Sequence, residues 1–331
     1  MKKRILTGDR PTGKLHLGHY VGTLRNRIKL QDQYESFFIV ADLHSLTTNT
    51  DTSKLKENIN NLVLDYLSVG IDPQKSAIYL QSEIPEVGEL ATIFSMLISV
   101  PRVQRVPTLK EVMRDLKIEN PSLGLLSYPV LQAADILMVR ANLVPVGKDQ
   151  VSHIEITREI AQKFNSEFKE IFPVPQALIP SDLGILPGTD GAGKMSKSLN
   201  NAIYLADSEE VVSQKVKNMY TDPKRIHRDD PGNPEGNPVF IYLDAFVSEN
   251  DKSQVQVYKE KYKAGKVGDV EVKEYLAVVL NNLLQPIREK RKQFEKNPVL
   301  LEKILKEGTR KAKIEASKTL SLVKKAANLG L

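Results

Sequence analysis

The sequence contains no cysteine among its 331 residues. That absence excludes disulfide bonds, thiolate zinc sites, iron–sulfur clusters and a cysteine nucleophile. No run approaches the ~18 consecutive apolar residues that a membrane-spanning helix needs. The basic start of the chain is not followed by the apolar segment of a signal peptide, so we expect a cytoplasmic protein.

Charge is distributed unevenly along the chain, although the net charge is only +6. Residues 251–331 contain 19 Lys and Arg against 10 Asp and Glu, a net charge of +9. The remaining residues, with 28 basic against 31 acidic side chains, carry −3. A basic C-terminal quarter indicates either a polyanionic partner or a solvated, lysine-rich helical surface.

Hydrophobic patterning divides the chain into two parts. Residues 1–200 alternate short apolar runs with longer helical patterns, which is typical of an α/β doubly wound parallel sheet. A polar helical segment near residues 101–121 interrupts this part as an insertion, and residues 201–331 contain helical patterns only. We predict strands at Arg4–Thr7, Ser36–Ala41, Ala77–Gln81 and Leu143–Val146, and helices that include Gly18–Tyr34, Ser127–Val139, Val270–Lys292 and Leu300–Ala327.

A histidine pair follows the first predicted strand. The run Pro11–His19 (Pro-Thr-Gly-Lys-Leu-His-Leu-Gly-His) opens the first predicted helix. Ligands of open α/β sheets bind at the carboxyl ends of strands, and a helix N-terminus offers free N–H groups to an anion. His16 and His19 share one face of the first turn, where their rings can donate to a phosphate oxygen. We interpret this run as a phosphate site; capping or surface histidines are the alternative.

A lysine pair flanked by glycine lies near residue 195. Gly193–Ser198 reads Gly-Lys-Met-Ser-Lys-Ser. The spacing from Gly188 imitates a phosphate-binding P-loop, but Met195 stands where that loop needs a hydroxyl ligand for magnesium, so we reject this reading. Lys194 and Lys197 can instead clamp a polyphosphate as mobile point charges, unless the segment is only a solvated basic loop.

Together these two runs resemble the HIGH and KMSKS signatures of the class I aminoacyl-tRNA synthetases, in the same order and at a similar separation. The resemblance implies a Rossmann-like catalytic domain in residues 1–200 and an anticodon-binding helical domain in residues 201–331. It further implies a homodimeric enzyme that activates an amino acid with ATP and transfers it to tRNA. Mg²⁺ would arrive with ATP, without a metal site in the chain itself. The catalytic residues would be His16, His19, Lys194 and Lys197.

One carboxylate, Asp135, lies within a strongly apolar predicted helix. A buried charge is costly unless it is paired or hydrogen-bonded. The partner is either a structural donor of the protein or a donor group of the substrate. An ionised carboxylate only accepts hydrogen bonds, which suits an indole N–H and also a tyrosine hydroxyl. These arguments leave tryptophan and tyrosine open as substrates.

A longer resemblance covers nearly the whole chain. The run Tyr128–Leu137, the segments Val144–Gln150 and His153–Glu155, and Thr221-Asp222-Pro223 are similar to the tryptophan-specific bacterial branch of this family, which implies L-tryptophan and its tRNA as substrates. Asp135 would hold the indole nitrogen; the other residues expected at tryptophan are Tyr128, Gln132, Val144, Val146, Gln150 and His44. The residues expected at ATP are Arg10, Pro11, Thr12, Gly18, His19, Gly147, Lys148, Asp149, Ile185, Lys194, Met195, Ser196, Lys197 and Ser198.

The sequence departs from the family pattern at a few positions. Arg10 stands where a glutamine is more usual, and Gln132 where methionine is. Three other functions remain open at this point: a tyrosine-specific synthetase, a small-molecule adenylyltransferase that uses the histidine turn without tRNA, and a catalytically silent RNA-binding protein. His153, beside Glu155 on a predicted helix, is interpreted as a structural or surface residue.

Overall fold

The computed structural model describes residues 2–147, 150–179, 186–197, 199–223, 225–227 and 229–330. In this part of the chain no helix is long and apolar enough to cross a membrane. The strands are β1 (Arg4–Asp9), β2 (Glu35–Val40), β3 (Ser76–Leu80), β4 (Leu143–Pro145) and β5 (Gln176–Leu178). The α-helices are α1 (Leu17–His19), α2 (Arg25–Leu30), α3 (Asp42–Ser45), α4 (Leu55–Val69), α5 (Glu86–Ser95), α6 (Val100–Gln104), α7 (Pro107–Asp115), α8 (Leu123–Met138), α9 (Val151–Glu167), α10 (Glu209–Lys217), α11 (Pro238–Phe246), α12 (Lys252–Lys263), α13 (Asp269–Glu295) and α14 (Pro298–Ala326).

The strands form one sheet in the order β3-β2-β1-β4-β5, and every pairing among them is parallel. This confirms the α/β fold class. Because β1 pairs with both β2 and β4, the strand order reverses beside β1. Ligands of such sheets bind at this reversal, outside the carboxyl ends of the strands. The segments that begin at Arg10 and Val146 therefore start where a ligand is expected.

The middle of the sheet is covered on both faces. All residues of β2 from Ser36 to Val40 are buried, so the strand shows no alternation between core and solvent. This is the reason that its sequence is an unbroken apolar run. On one side, the rings of Phe94, Phe164 and Phe172 pack edge to face with centroids 5.1–6.5 Å apart. The sheet thus packs against a hydrophobic core. Loops and short helices follow the carboxyl ends of its strands.

The chain divides into two compact units. The sheet unit consists of Met1–Gly13, Asn26–Ser181 and Asn297–Leu331, and the helical unit of Lys14–Arg25 and Asp182–Lys296. These bounds differ from the expected division at residue 200 in two ways. The histidine turn belongs to the helical unit, although it follows β1 directly. The C-terminal helix α14 belongs to the sheet unit, so the basic quarter of the sequence is shared between the units.

Small residues explain why α14 packs with the sheet. Gly308, Ala312 and Ala316 recur every four residues on one face of the helix, and all three are buried. A Cβ atom on Gly308 would lie 1.9 Å from the carbonyl oxygen of Ile78 in β3, so only glycine allows this approach. Glu315, on the same helix, is paired with Arg4 at 2.8 Å. The lysine-rich pattern therefore describes only the outer face of α14.

Replacing Gly308 by alanine is expected to lower the free energy of unfolding by about 2–3 kcal/mol, because the added methyl group collides with backbone that cannot move aside. Gly88→Ala, within α5, is the matched control. A Cβ at Gly88 meets nothing within 4 Å, so alanine there should be neutral or stabilising by up to ~1 kcal/mol. Urea unfolding of both variants measures the difference. Equal stabilities would contradict the close packing of α14 on β3.

Several elements differ from the prediction in detail. The first helix begins as α1, passes through a π-helical turn over Tyr20–Leu24 and ends at Leu30 rather than at residue 34. The segment near 101–121 contains two short helices, α6 and α7. The strand β5 and the helix α11 were not predicted. The strand β5 (Gln-Ala-Leu) lacks the apolar run that marks the equally short β4 (Leu-Val-Pro).

Candidate active site

The histidine turn is held by backbone pairing. Leu17 N donates to Ile203 O at 2.9 Å, and Leu205 N donates to Leu15 O at 3.0 Å. The first turn of α1 then begins at His16, whose backbone N donates to Nδ1 of His19 at 3.2 Å. Because Nδ1 accepts this hydrogen bond, the neutral ring of His19 carries its proton on Nε2. The ring of His19 is therefore set to donate from Nε2.

The lysine segment is fixed by its methionine and its serine. Met195 is buried, and its Sδ would lie 3.6 Å from a Cβ placed on Gly18, so it packs beside the histidine turn. Ser196 N donates to Oδ1 of Asn201 at 2.8 Å. Gly193 has a φ of +73°, a conformation that favours glycine, and it directly precedes Lys194. The segment thus has two anchors, and its lysines flank them.

The electrostatics of the helical unit show that the two motifs lie together. The pKa of His16 is lowered from 6.5 to about 3, first by burial and then by the charges of His19, Lys197 and Lys194. The rings of His16 and His19 have centroids 3.8 Å apart. Two imidazoles and two ammonium groups are therefore concentrated in one place, and His16 stays neutral at physiological pH. This arrangement suits a polyanion that is bound by neutral donors and cations together.

In the sheet unit, Asp135 lies at the centre of a buried hydrogen-bonded cluster. Its Oδ2 is 2.9 Å from Nε2 of His44, in α3. Gln81, which follows β3, donates from Nε2 to Oδ1 at 3.0 Å and to Oδ2 at 2.8 Å. Burial raises the pKa of Asp135, whereas the hydrogen bonds from His44 and Gln81 lower it. Each carboxylate oxygen has two lone pairs, so acceptor capacity remains for a further donor.

Tyr128 and Gln132 lie on the same face of α8 as Asp135, because they precede it by seven and three residues. The hydroxyl of Tyr128 is 2.8 Å from Nε2 of His153 and 3.3 Å from Oγ1 of Thr108. The rings of Tyr128 and His44 pack edge to face, with centroids 6.3 Å apart. One helix face thus combines an aromatic ring, an amide and a carboxylate.

Comparison with known proteins gives a consistent result. Residues 1–285 match the family of class I tRNA synthetases for tryptophan (W) and tyrosine (Y). The tryptophan–tRNA ligase of Treponema pallidum is 55% identical over 98% of this chain and 97% of its own length. That of Borreliella burgdorferi is 51% identical, over 98% and 93%. The chain belongs to the bacterial-type tryptophanyl-tRNA synthetases.

A solved structure of this family shows the same architecture. The tryptophanyl-tRNA synthetase of Campylobacter jejuni, complexed with ADP and tryptophan, has a TM-score of 0.88 and is 36% identical. The alignment covers 98% of this chain and 100% of that one. The archaeal enzyme of Aeropyrum pernix, at 23% identity and a TM-score of 0.71, shares the fold.

The residues expected at ATP in a tryptophanyl-tRNA synthetase fall into four groups. The group formed by the two motifs, described above, lies in the helical unit and contains Gly18, His19, Lys194, Met195, Ser196 and Lys197. Arg10, Pro11 and Thr12 follow β1, where Arg10 donates to Oγ1 of Thr48 at 3.5 Å and Thr12 N donates to Arg10 O at 2.8 Å. Gly147 follows β4 and accepts from the backbone N of Gln150 at 3.0 Å. The positions Lys148, Asp149, Ile185 and Ser198 lie outside the described residues.

The residues expected at tryptophan share the sheet unit with Asp135. Val144 belongs to the main hydrophobic core, and Tyr128 and Val146 pack against that core. His44 was expected only near the substrate, but it contacts Asp135 directly. His153, interpreted as a structural or surface residue, is buried, and Nε2 of its ring is 2.8 Å from the hydroxyl of Tyr128. Gln81 and Thr108 were not identified from the sequence; the position of Gln81 directly after a parallel strand was the available signal.

Because the pKa of His16 is low, the free energy of unfolding of this protein depends on pH. A histidine in an unfolded chain has a pKa near 6.5, whereas His16 in the folded chain has a pKa of about 3. Between these two pH values the unfolded chain binds a proton at His16 that the folded chain does not bind. Stability is therefore complete above pH 6.5 and falls below it, by up to ~1.4 kcal/mol per pH unit.

We expect His16→Asn to lose this part of the acid sensitivity, so that urea unfolding between pH 7.5 and 5.5 gives a shallower decline than in the wild type. The exposed His227, in the same unit, offers the control, because His227→Asn should keep the wild-type slope. If His16→Asn and the wild type declined in parallel, a buried neutral His16 would be ruled out.

Proposed function

We propose that this chain activates L-tryptophan with ATP, forming tryptophanyl-adenylate and pyrophosphate, and then transfers tryptophan to the 3′ end of its tRNA. The observation that carries the proposal is the packing of Met195, from the lysine segment, beside Gly18, from the histidine turn. The charges of Lys194 and Lys197 lower the pKa of His16 accordingly. The family and the near-full-length similarity to tryptophan–tRNA ligases support it.

In the activation step the chain supplies positioning and charge stabilisation, as is usual for phosphoryl chemistry. The tryptophan carboxylate attacks the α-phosphorus, and pyrophosphate leaves. His16 and His19 donate to the α- and β-phosphate region, and His16 does so as a neutral imidazole. Lys194 and Lys197 follow the departing pyrophosphate as its negative charge develops. When bound to the triphosphate, Mg²⁺ would share in neutralising that charge.

Selectivity for tryptophan rests on Asp135 in this proposal. The indole N–H is a donor that needs an acceptor, and a buried carboxylate held by His44 and Gln81 provides one. An amino acid without such a donor, such as phenylalanine, leaves the buried carboxylate short of a partner. Tyr128, Gln132, Val144, Val146 and Gln150 are proposed to complete the pocket.

The site for adenosine and the domain roles remain predictions. We propose that ATP contacts Arg10, Pro11, Thr12 and Gly147, because these residues follow the carboxyl ends of β1 and β4. By family resemblance, ATP is also proposed to contact Lys148, Asp149, Ile185, Met195, Ser196 and Ser198. The helical unit, with α10–α13, is proposed to read the anticodon. A cytoplasmic location is likewise predicted.

We also propose that the protein is a homodimer. In the sheet unit, Met96, Val100 and Leu123 expose 75%, 56% and 78% of their surface. They lie at the end of α5 and at the starts of α6 and α8. Large exposed apolar side chains in neighbouring helices are typical of a protein interface. Sedimentation should give a dimer for the wild type and a monomer for Leu123→Glu combined with Met96→Glu; a monomeric wild type would refute the proposal.

The function is tested by ATP–pyrophosphate exchange with each of the twenty amino acids. Exchange that depends on tryptophan alone is the expected result. Exchange with tyrosine would favour the tyrosine-specific branch of the family. Release of a product without tRNA would indicate a small-molecule adenylyltransferase, and tRNA binding without any exchange would indicate an RNA-binding protein.

A further inference from the structure

We propose that Gln81 is the positioning residue for Asp135 and thereby a determinant of tryptophan specificity. The inference rests on the proposed function and adds a residue that the motifs do not contain. Gln81 is completely buried and begins a short 3₁₀ turn, Gln81–Glu83, directly after β3. It therefore stands at the carboxyl edge of the sheet, where ligands of this fold bind.

The hydrogen bonds of Gln81 join two separate elements. Its Nε2 bridges both oxygens of Asp135, at 3.0 and 2.8 Å, while its Oε1 accepts from the backbone N of His44 at 3.4 Å. His44 in turn contacts Oδ2 of Asp135 through Nε2. The amide thus fixes the carboxylate on α8 and the backbone of α3 at the same time. The plane of the carboxylate is set by a bridging donor rather than by a single bond.

Only an amide of this length satisfies both partners. Methionine fills a similar volume, but it would leave the backbone N–H of His44 and one side of the carboxylate without hydrogen bonds. Glutamate has the same shape, but its carboxylate would face that of Asp135, and two carboxylates at this distance cannot both be ionised without a large cost. The residue type at position 81 is therefore dictated by the charge of Asp135.

Loss of the Gln81 amide is expected to raise the pKa of Asp135 further. Burial already raises the pKa of Asp135, and the hydrogen bond from Gln81 opposes that rise. Without it the carboxyl group is protonated to a higher pH, and a protonated carboxyl group is a weaker acceptor for the indole N–H than a carboxylate. The titratable groups that face Asp135 are His44 and Asp42 from α3 and Tyr79 from β3. On α9, His153 bonds Tyr128 instead.

The experiment compares Gln81→Met and Gln81→Glu in the full-length chain. We expect Gln81→Met to raise the KM for tryptophan by about 10- to 100-fold, as for the loss of a hydrogen bond to a charged group, with the KM for ATP changed less than about twofold. The acidic limb of kcat/KM for tryptophan should move to higher pH. Gln81→Glu, which preserves the shape, should be impaired at least as strongly.

Gln31 provides the control. It is also buried in the sheet unit, but its amide bonds Gly70 O at 2.9 Å, Asp72 N at 2.8 Å and Ser76 Oγ at 3.5 Å, and none of these groups belongs to the Asp135 cluster. Gln31→Met should lower the melting temperature without moving the KM or the pH limb. A Gln81→Met or Gln81→Glu variant with a wild-type KM for tryptophan and an unmoved pH limb would overturn the inference. A wild-type protein without tryptophan-dependent exchange would instead refute the proposed function.

Discussion

Asp135→Ala is expected to lower kcat/KM for tryptophan by about 10⁴-fold, because the variant removes the acceptor that the indole N–H needs. It also leaves the donors of His44 and Gln81 unsatisfied in a buried place, which adds to the loss. The KM for ATP should change little. Tryptophan-dependent and phenylalanine-dependent pyrophosphate exchange, measured in parallel, give the discrimination directly.

Asp65→Ala is the control for Asp135→Ala. Asp65 is completely buried on α4, outside the hydrogen bonds that join Asp135, His44 and Gln81. A change there should affect stability but not the choice of amino acid. An Asp135→Ala enzyme that still prefers tryptophan to phenylalanine as the wild type does would remove Asp135 from the recognition of indole.

Lys197→Ala should slow adenylate formation by about 10²–10³-fold, the usual effect of losing one preorganised group that stabilises developing charge. Because Lys197 is proposed to act on pyrophosphate as it departs, the dissociation constant of tryptophan should stay within about twofold. Single-turnover measurement of adenylate formation separates the two effects.

Lys217→Ala is the control, because it tests whether the loss of any positive charge in the helical unit slows adenylate formation. Lys217 is exposed at the end of α10, and its loss should leave the rate of adenylate formation unchanged. The role of the lysine segment would be refuted by a Lys197→Ala enzyme with the wild-type rate, or by an equal loss in Lys217→Ala.

Predictions from the sequence were confirmed for strands whose structure depends on residues that are adjacent in the chain. The runs that became β2 and β3 are largely apolar without alternation, and a strand buried on both faces requires that composition. The helix α14 depends on distant residues as well. Its lysines indicated either a surface for a polyanion or a solvated face, whereas its attachment to the sheet depends on Gly308 meeting Ile78, 230 positions earlier in the chain.

The candidate site divides in the same manner. His16, His19, Lys194 and Lys197 were identified because each pair occupies one short run with a recognisable chemistry. Gln81 and His153 were not assigned to the site, since their importance comes from contacts with residues far along the chain. Gln81 bonds a carboxylate 54 residues away, and His153 bonds a hydroxyl 25 residues away. The place of Gln81 directly after a strand indicates the edge where ligands bind, but neither residue carries a local signal of its partner.

By itself, the sequence determined the α/β class, the two motif runs and the single carboxylate in an apolar helix, because patterning and residue chemistry are local properties. Only the tertiary structure decided that His16 is held neutral by burial and nearby lysines, that α14 closes against β3, and that Gln81 and His44 hold Asp135. These features arise from burial and from contacts between distant residues, which exist only once the chain is folded.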